Sequence, residues 1–114
     1  MIRDRVRTLC SALPGVTCDG LLGPGHDSWK VGGKMFAAVG ARETGVSVKT
    51  DSVETAQMLI DAGVGARAPY CHASWVHLPA GCPDDELRHR LLTSYDIIRA
   101  GLTRKAQAAL APRD

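Results

Sequence analysis

The sequence predicts one α+β domain in which helices pack on one face of an antiparallel β-sheet. Apolar residues recur at helical spacing near both ends of the chain and once in its middle. Short runs rich in β-branched and apolar residues lie between these segments, separated by turns that contain glycine or proline. Strands joined by short turns pair antiparallel, and helices grouped in this way cover one face of the sheet. A chain of 114 residues can bury its own core, so we expect a single domain over residues 1–114.

The N-terminal segment predicts an amphipathic helix that stops at Pro14-Gly15. Its apolar positions are Ile2, Val6, Leu9 and Leu13. Its basic positions, which we expect on the solvent side, are Arg3, Arg5 and Arg7. A short strand over residues 17–22 and a turn over residues 23–27 should follow the helix.

The glycine pair Gly32-Gly33 predicts a tight β-hairpin. A two-residue hairpin loop needs positive φ angles, which glycine adopts without a steric clash. The loop sets the register of the flanking strands. The predicted pairs are Val31 with Lys34, Lys30 with Met35 and Trp29 with Phe36. The hairpin therefore carries basic side chains at its tip and along one side.

The middle of the chain predicts a strand, a helix and a second strand. The run 46–49 alternates with period two, so Val46 and Val48 should face the core and Lys49 should face away. Asp51 or Ser52 should cap the following helix, and Gly63 should end it. Residues 65–72 are predicted to be irregular because of a proline at position 69, and residues 75–78 should form a strand.

The C-terminal third predicts a long amphipathic helix that begins at Pro83 in the first helical position. Three carboxylates in its first turn suit the positive end of the helix dipole. The apolar positions are Leu87, Leu91, Tyr95, Ile98 and Leu102. Thr103 should cap a short final helix.

Composition and motifs favour a binding protein over an enzyme. The chain has no phosphate-binding loop, nucleophile elbow or zinc-protease motif, so we expect no catalytic activity. The four cysteines are not spaced as zinc ligands, and we expect neither a metal nor another cofactor. No apolar run could span a bilayer, and the first residues lack a signal peptide's apolar region. We therefore expect a cytoplasmic monomer without a membrane partner.

The open face of the predicted sheet is the first candidate site. If the valines of the strands face the helices, the side chains that alternate with them face solvent. Together with the hairpin tip, this face would present Lys30, Lys34, Lys49, Trp75 and His77. The lysines could contact the phosphates of DNA, and an exposed indole could stack on a base. The alternative is an ordinary solvated sheet face.

The loop around Tyr70 and His72 is the second candidate site. The loop over residues 67–77 could form a pocket for a small ligand or dock a protein partner. The alternative for His72 is a loop histidine that bonds the backbone.

Several segments together resemble the MmcQ/YjbR family. They are Lys30–Ala37, Val46–Asp51, Pro69–His72, Ser74–Val76 and Ser94-Tyr95. The resemblance spans nearly the whole chain and implies a fold like that of frataxin (CyaY). It also implies a proposed DNA-binding role through two protruding hairpin wings, and it brings no catalytic residues. Between His72 and Trp75, family members often carry an Asn-Lys or a similar polar pair, whereas this chain has Ala73-Ser74. A basic side chain that could help the second wing is therefore missing, which weakens the DNA-binding interpretation.

Overall fold

The computed structural model describes residues 1–113 and shows an α+β fold with one six-stranded antiparallel sheet, ordered β1-β2-β3-β4-β6-β5. The strands are β1 (Val16–Asp19), β2 (Asp27–Val31), β3 (Lys34–Val39), β4 (Gly45–Lys49), β5 (Ala66–Arg67) and β6 (Trp75–Pro79). The helices are α1 (Ile2–Ser11), α2 (Val53–Asp61), α3 (Asp84–Ala100) and α4 (Arg104–Ala108). The predicted fold class and the order of its main elements are thus confirmed.

The hydrophobic core lies between the helices and one face of the sheet. Helix α1 contributes Ile2 and Val6, which are buried against inward-facing valines of the central strands. Helix α3 contributes Tyr95, whose ring meets Phe36 edge-on with the ring centroids 5.4 Å apart. Cys10 is also fully buried, so it packs as a small apolar residue.

The glycine hairpin forms as predicted, but its register changes near the base. Gly32 and Gly33 have φ angles of +58° and +81°, which only glycine adopts readily. Val31 pairs with Lys34 and Lys30 with Met35, as expected. The predicted pair of Trp29 with Phe36 is wrong, because Trp29 pairs with Ala37. Phe36 is the extra residue of a β-bulge, which a strict alternation of side chains cannot foresee.

Most predicted helix ends are confirmed. The Ser52 hydroxyl accepts the backbone N–H of Thr55, and Gly63 follows helix α2 with a φ angle of +77°. Thr103 caps helix α4 through the N–H of Ala106. Pro83 precedes the first residue of α3 instead of occupying it, since its ψ angle of 149° is extended.

Two strands differ from the predicted boundaries. Strand β1 ends at Asp19, because the side chain of Asp19 accepts the N–H of Leu21 and turns the chain. The segment predicted to be irregular contains the short edge strand β5, which pairs with β6 just before Pro69. An edge position tolerates a nearby proline because one side of the strand needs no partner.

The arginines of helix α1 are not simply solvated. Arg5 donates to the carbonyl oxygens of Ala80 and Cys82 at 2.8 and 2.7 Å and pairs with Asp84. The guanidinium of Arg7 lies 5.3 Å from the centre of the buried Trp29 ring. These arginines therefore hold helix α1 against the loops and the sheet. The expectation that the arginines of this helix simply face solvent is wrong.

Residues 1–113 contain neither a membrane-spanning helix nor a cluster of metal-binding side chains. No helix within residues 1–113 combines the length and apolar character needed to cross a membrane. In the same part of the chain, no three histidine, cysteine or acidic side chains cluster in a way that could hold a metal ion.

Candidate ligand site on the open face of the sheet

The face of the sheet turned away from the core carries a row of mostly small side chains. Val46, Val48, Val76 and Leu78 are fully buried in the core, so the residues that alternate with them point to the opposite face. Cross-strand pairing then aligns one row across five strands. This row consists of Ser28, Ala38, Ser47, His77 and Ala66.

A cavity of about 440 Å³ opens above the middle of this row. Its floor consists of Met35, Ala38, Ser47 and His77. One wall comes from Leu22 and His26 of the β1–β2 loop and from Gly40 and Thr44 of the β3–β4 loop. The other wall comes from Pro69, Tyr70 and Cys71, which follow strand β5. A volume of this size suits a small organic molecule.

His77 is held between two hydroxyl groups at the cavity floor. Its Nδ1 lies 3.0 Å from the Ser47 hydroxyl, and its Nε2 lies 3.1 Å from the Thr44 hydroxyl. Desolvation by burial lowers the pKa of His77, which favours the neutral ring. A neutral imidazole donates through one nitrogen and accepts through the other, so one hydroxyl donates to the ring and the other accepts from it.

This environment predicts a specific pH dependence of stability. The folded-state pKa of His77 lies below its ordinary value of 6.5, so the unfolded chain binds more protons between those two values. The His77 contribution to stability is therefore fully present above pH 6.5 and is lost as the pH falls towards the lowered folded-state pKa. Urea unfolding between pH 7.5 and 5 should show this loss, and the variant His77→Gln should reduce it. The control variant His89→Gln, at an exposed helix position, should leave the profile unchanged.

Arg3 fixes the wall that the β1–β2 and β3–β4 loops form. Its guanidinium donates to the carbonyl oxygens of Gly25 and Gly40 at 2.5 and 3.2 Å. It also pairs with Asp27 at 2.7 Å and with Glu43 at 3.7 Å. A single side chain of helix α1 thus joins both loops of the wall.

Tyr70 presents an aromatic ring at the rim of the opposite wall. Its ring is fully exposed, and its φ angle of +62° is uncommon for a residue with a side chain. The next residue, Cys71, is half-buried, and burial raises the pKa of its thiol. The rim therefore offers an aromatic surface beside a neutral thiol.

The lysines predicted to bind DNA lie on the hairpin and the open face, but two of them have partners within the protein. Lys30 pairs with Asp19 at 3.0 Å, and the ammonium group of Lys49 donates to the Ser74 hydroxyl at 2.7 Å. Lys34 is exposed at the end of the hairpin turn. The two lysines of strands β2 and β4 therefore present less free charge than the sequence suggests.

The other residues predicted to form the two candidate sites lie in different environments. Trp75 is only 8% exposed, so the expectation of an exposed stacking ring is wrong; burying its large apolar surface is favourable. His77 belongs to the cavity floor. Tyr70 lines the cavity as the pocket hypothesis expects, whereas His72 does not. The ring of His72 bonds the N–H and the hydroxyl of Ser74, as in the alternative interpretation.

Sequence reasoning missed the contribution of the other loops to the site. His26, Met35 and Thr44 come from segments that are distant from the 67–77 loop along the chain. The sequence signal for the cavity was the pair of small residues Ala38 and Ser47, which leave space above the middle of a sheet. This signal can be recognised only when it is known that the strands carrying the two residues are neighbours.

The fold and the site together define a small α+β protein with a ligand-sized cavity on the uncovered face of an antiparallel sheet. A family model described as YjbR matches residues 11–97, and the chain belongs to this family, the MmcQ/YjbR family. The crystal structure of protein DR2400 from Deinococcus radiodurans, which carries the domain DUF419, has the same fold. The TM-score is 0.83 at 22% sequence identity, with 94% of this chain and 86% of that chain covered. None of the curated proteins matches the chain.

Proposed function

We propose that this protein binds a small ligand in the cavity on the open face and that it is a binding protein without catalytic activity. The cavity itself supports this proposal, because its apolar lining surrounds the convergent polar groups of Thr44, Ser47 and His77. Concave sites of this size and composition are the usual places where proteins hold small molecules. This proposal retains the 67–77 loop as one wall and adds the sheet floor to it.

The pair of Ser47 and His77 supports binding better than catalysis. A serine beside a histidine is the arrangement of an activated nucleophile. However, Ser47 lies in the middle of strand β4 and is only 6% exposed, so its oxygen has little room to attack a substrate. A nucleophile instead needs an exposed position, such as a sharp turn.

A fragment screen by two-dimensional NMR tests the proposal. Uncharged, anionic and cationic fragments are added to the full chain, and the backbone shifts are mapped. We expect fragments to perturb residues of the cavity floor and of both walls. The variant Ala38→Leu should fill the floor and weaken fragment binding at least tenfold. Ala66→Leu is the matched control, since Ala66 lies in the same row outside the cavity. Equal loss in both variants, or no fragment in the cavity, would contradict the proposal.

Nucleic-acid binding is the second candidate function, and the hairpin tip favours it. A Cβ atom at Gly32 would lie 2.5 Å from the side chain of Leu102, so the turn packs against the chain just before helix α4. This contact brings exposed Lys34 to the same end of the molecule as exposed Arg104 and Lys105. Residues 28–36 and 97–113 contain no acidic side chain. Such a basic end suits contacts with phosphates.

Binding to labelled duplex and single-stranded DNA over a salt series tests this second candidate. Each phosphate contact contributes about 0.9 to the slope of log K against log salt on duplex DNA. The variant Lys34→Glu with Lys105→Glu should abolish binding at moderate salt. Arg42→Glu with Arg88→Glu changes the charge equally at exposed positions away from the tip and should retain most of the affinity. Equal affinities of the two double variants would contradict the assignment, and no binding at low salt would discard this function.

The fold, compartment and oligomeric state are further parts of the proposal. Helices α1 and α3 pack on one face of the sheet while the other face keeps a cavity, which supports a frataxin/CyaY-like arrangement. All four cysteines are free, which suits the reducing cytoplasm.

The core is complete within one chain, which supports a monomer. Sedimentation equilibrium tests the last point, and a mass of twice 12.1 kDa would overturn it.

A further inference from the structure

We propose that the cavity on the open face takes an uncharged, planar heteroaromatic ring, an inference that rests on the proposed ligand-binding function. Three properties of the lining carry this inference. They are its lack of charge, its aromatic and thioether surfaces, and its row of hydroxyl and imidazole groups.

The lining is uncharged. Among the described residues around the cavity, no lysine, arginine, aspartate or glutamate contributes to the surface. Burial also favours the neutral form of His77 at the floor. An ionised ligand would lose part of its hydration in this site without gaining a partner of opposite charge, which is costly. The electrostatics therefore select an uncharged molecule.

The lining suits a flat aromatic molecule. Three residues with aromatic rings, His26, Tyr70 and His77, line different parts of the cavity. Met35 adds a polarisable thioether, which contacts aromatic rings favourably. Ala38 between them is too short to obstruct a ring that lies against the sheet. Aromatic pairs in stacked or edge-on geometry gain stabilisation beyond the burial of their area.

The polar groups suit a ring that contains heteroatoms. The Ser47 and Thr44 hydroxyls each bond to one nitrogen of His77. Ser47 is buried, whereas Thr44 is exposed, so the Thr44 hydroxyl is the one that can form a further bond to a ligand. This hydroxyl donates to the imidazole in one His77 tautomer and accepts from it in the other, so it can complement either an acceptor or a donor on the ring.

Such a ring has two sources, a free heterocycle or an unpaired base within a nucleic-acid strand. The first experiment uses three free probes in NMR titrations of the full chain. They are adenine as an uncharged planar heterocycle, benzoate as a charged planar ring, and cyclohexanol as an uncharged ring that is not planar. We expect adenine to perturb the cavity residues with at least tenfold higher affinity than the other two probes. A second arm uses a short thymidine-rich oligonucleotide with one central adenine or with an abasic site at that position.

Variants of Tyr70 separate a stacking role from a structural one. Tyr70→Phe keeps the ring and should retain adenine affinity within about twofold. Tyr70→Gly suits the positive φ angle and should preserve the fold while lowering adenine affinity at least fivefold. If the glycine variant loses adenine affinity while the phenylalanine variant keeps it, the inference is supported. If both variants bind adenine as tightly as the parent protein, the Tyr70 ring has no stacking role.

The outcomes distinguish this inference from the function on which it rests. If the fragment set binds in the cavity but benzoate or cyclohexanol binds as tightly as adenine, the ligand class is wrong and ligand binding stands. If no fragment binds there, both fail. Adenine bound alone supports a free heterocycle, and an oligonucleotide that loses affinity at the abasic site supports an unpaired base. Absence of both adenine and oligonucleotide from the cavity overturns the inference.

Discussion

Replacing Gly45 with alanine is expected to lower the free energy of unfolding by about 3 kcal/mol or more. A Cβ atom at this position would lie 1.8 Å from the carbonyl oxygen of Leu78 and 2.8 Å from Nε2 of His77. The first of these atoms belongs to the backbone of β6, so strands β4 and β6 would have to separate. Urea unfolding at pH 7.5 measures the loss.

Gly81→Ala is the matched control for this substitution. Gly81 lies in the turn after β6, and a Cβ atom there would meet nothing within 4 Å. We expect its free energy of unfolding to stay within about 0.5 kcal/mol of the parent protein. Equal stability of the two alanine variants would show that the fold accommodates a Cβ atom at position 45 without cost. In Gly45→Ala we also expect the bond between Thr44 and His77 to break, which NMR of the imidazole would report.

Replacing Ser94 with alanine is expected to lower the free energy of unfolding by about 2–4 kcal/mol. Its buried hydroxyl donates to the carbonyl oxygen of Phe36 at 2.6 Å and accepts the N–H of Lys49 at 2.9 Å. The described pairs between β3 and β4 end at Ala37 with Val48, so these two backbone groups lie just beyond the ladder. Without the hydroxyl, both groups would remain buried and unpaired.

The neighbouring substitution Thr93→Ala separates this effect from a general loss of helix stability. Thr93 is only half-buried on the same helix, and the change should cost less than about 1 kcal/mol. Chemical denaturation of both variants provides the comparison. A Ser94→Ala variant as stable as Thr93→Ala would show that the bridge between the two strands contributes little.

The elements of this fold could be predicted because each has a local signal. Gly32-Gly33 encodes a hairpin turn, Ser52 and Thr103 encode helix starts, and Gly63 encodes a helix end. The bulge at Phe36 has no such signal. The bulged residue packs its ring against Tyr95 of helix α3, which is far away along the chain.

The candidate site was less predictable because it depends on tertiary partners. The positive charges of Lys30 and Lys49 were evident, but their partners Asp19 and Ser74 come from other elements. Trp75 shows the same limit, since alternation predicts which face a side chain points to but not whether another segment covers it. A cavity bounded by three separate loops has no contiguous sequence signature.

The contact of Arg3 with two carbonyl oxygens couples opposite sides of the protein. The helix that carries Arg3 packs in the core layer, whereas the loops that it holds border the open face. Fraying of the first turn of α1 would therefore release both loops at once, and an order-to-disorder change in that turn would be transmitted to the opposite face of the sheet. Arg3 thus influences the shape of the cavity, although it does not contribute to the lining.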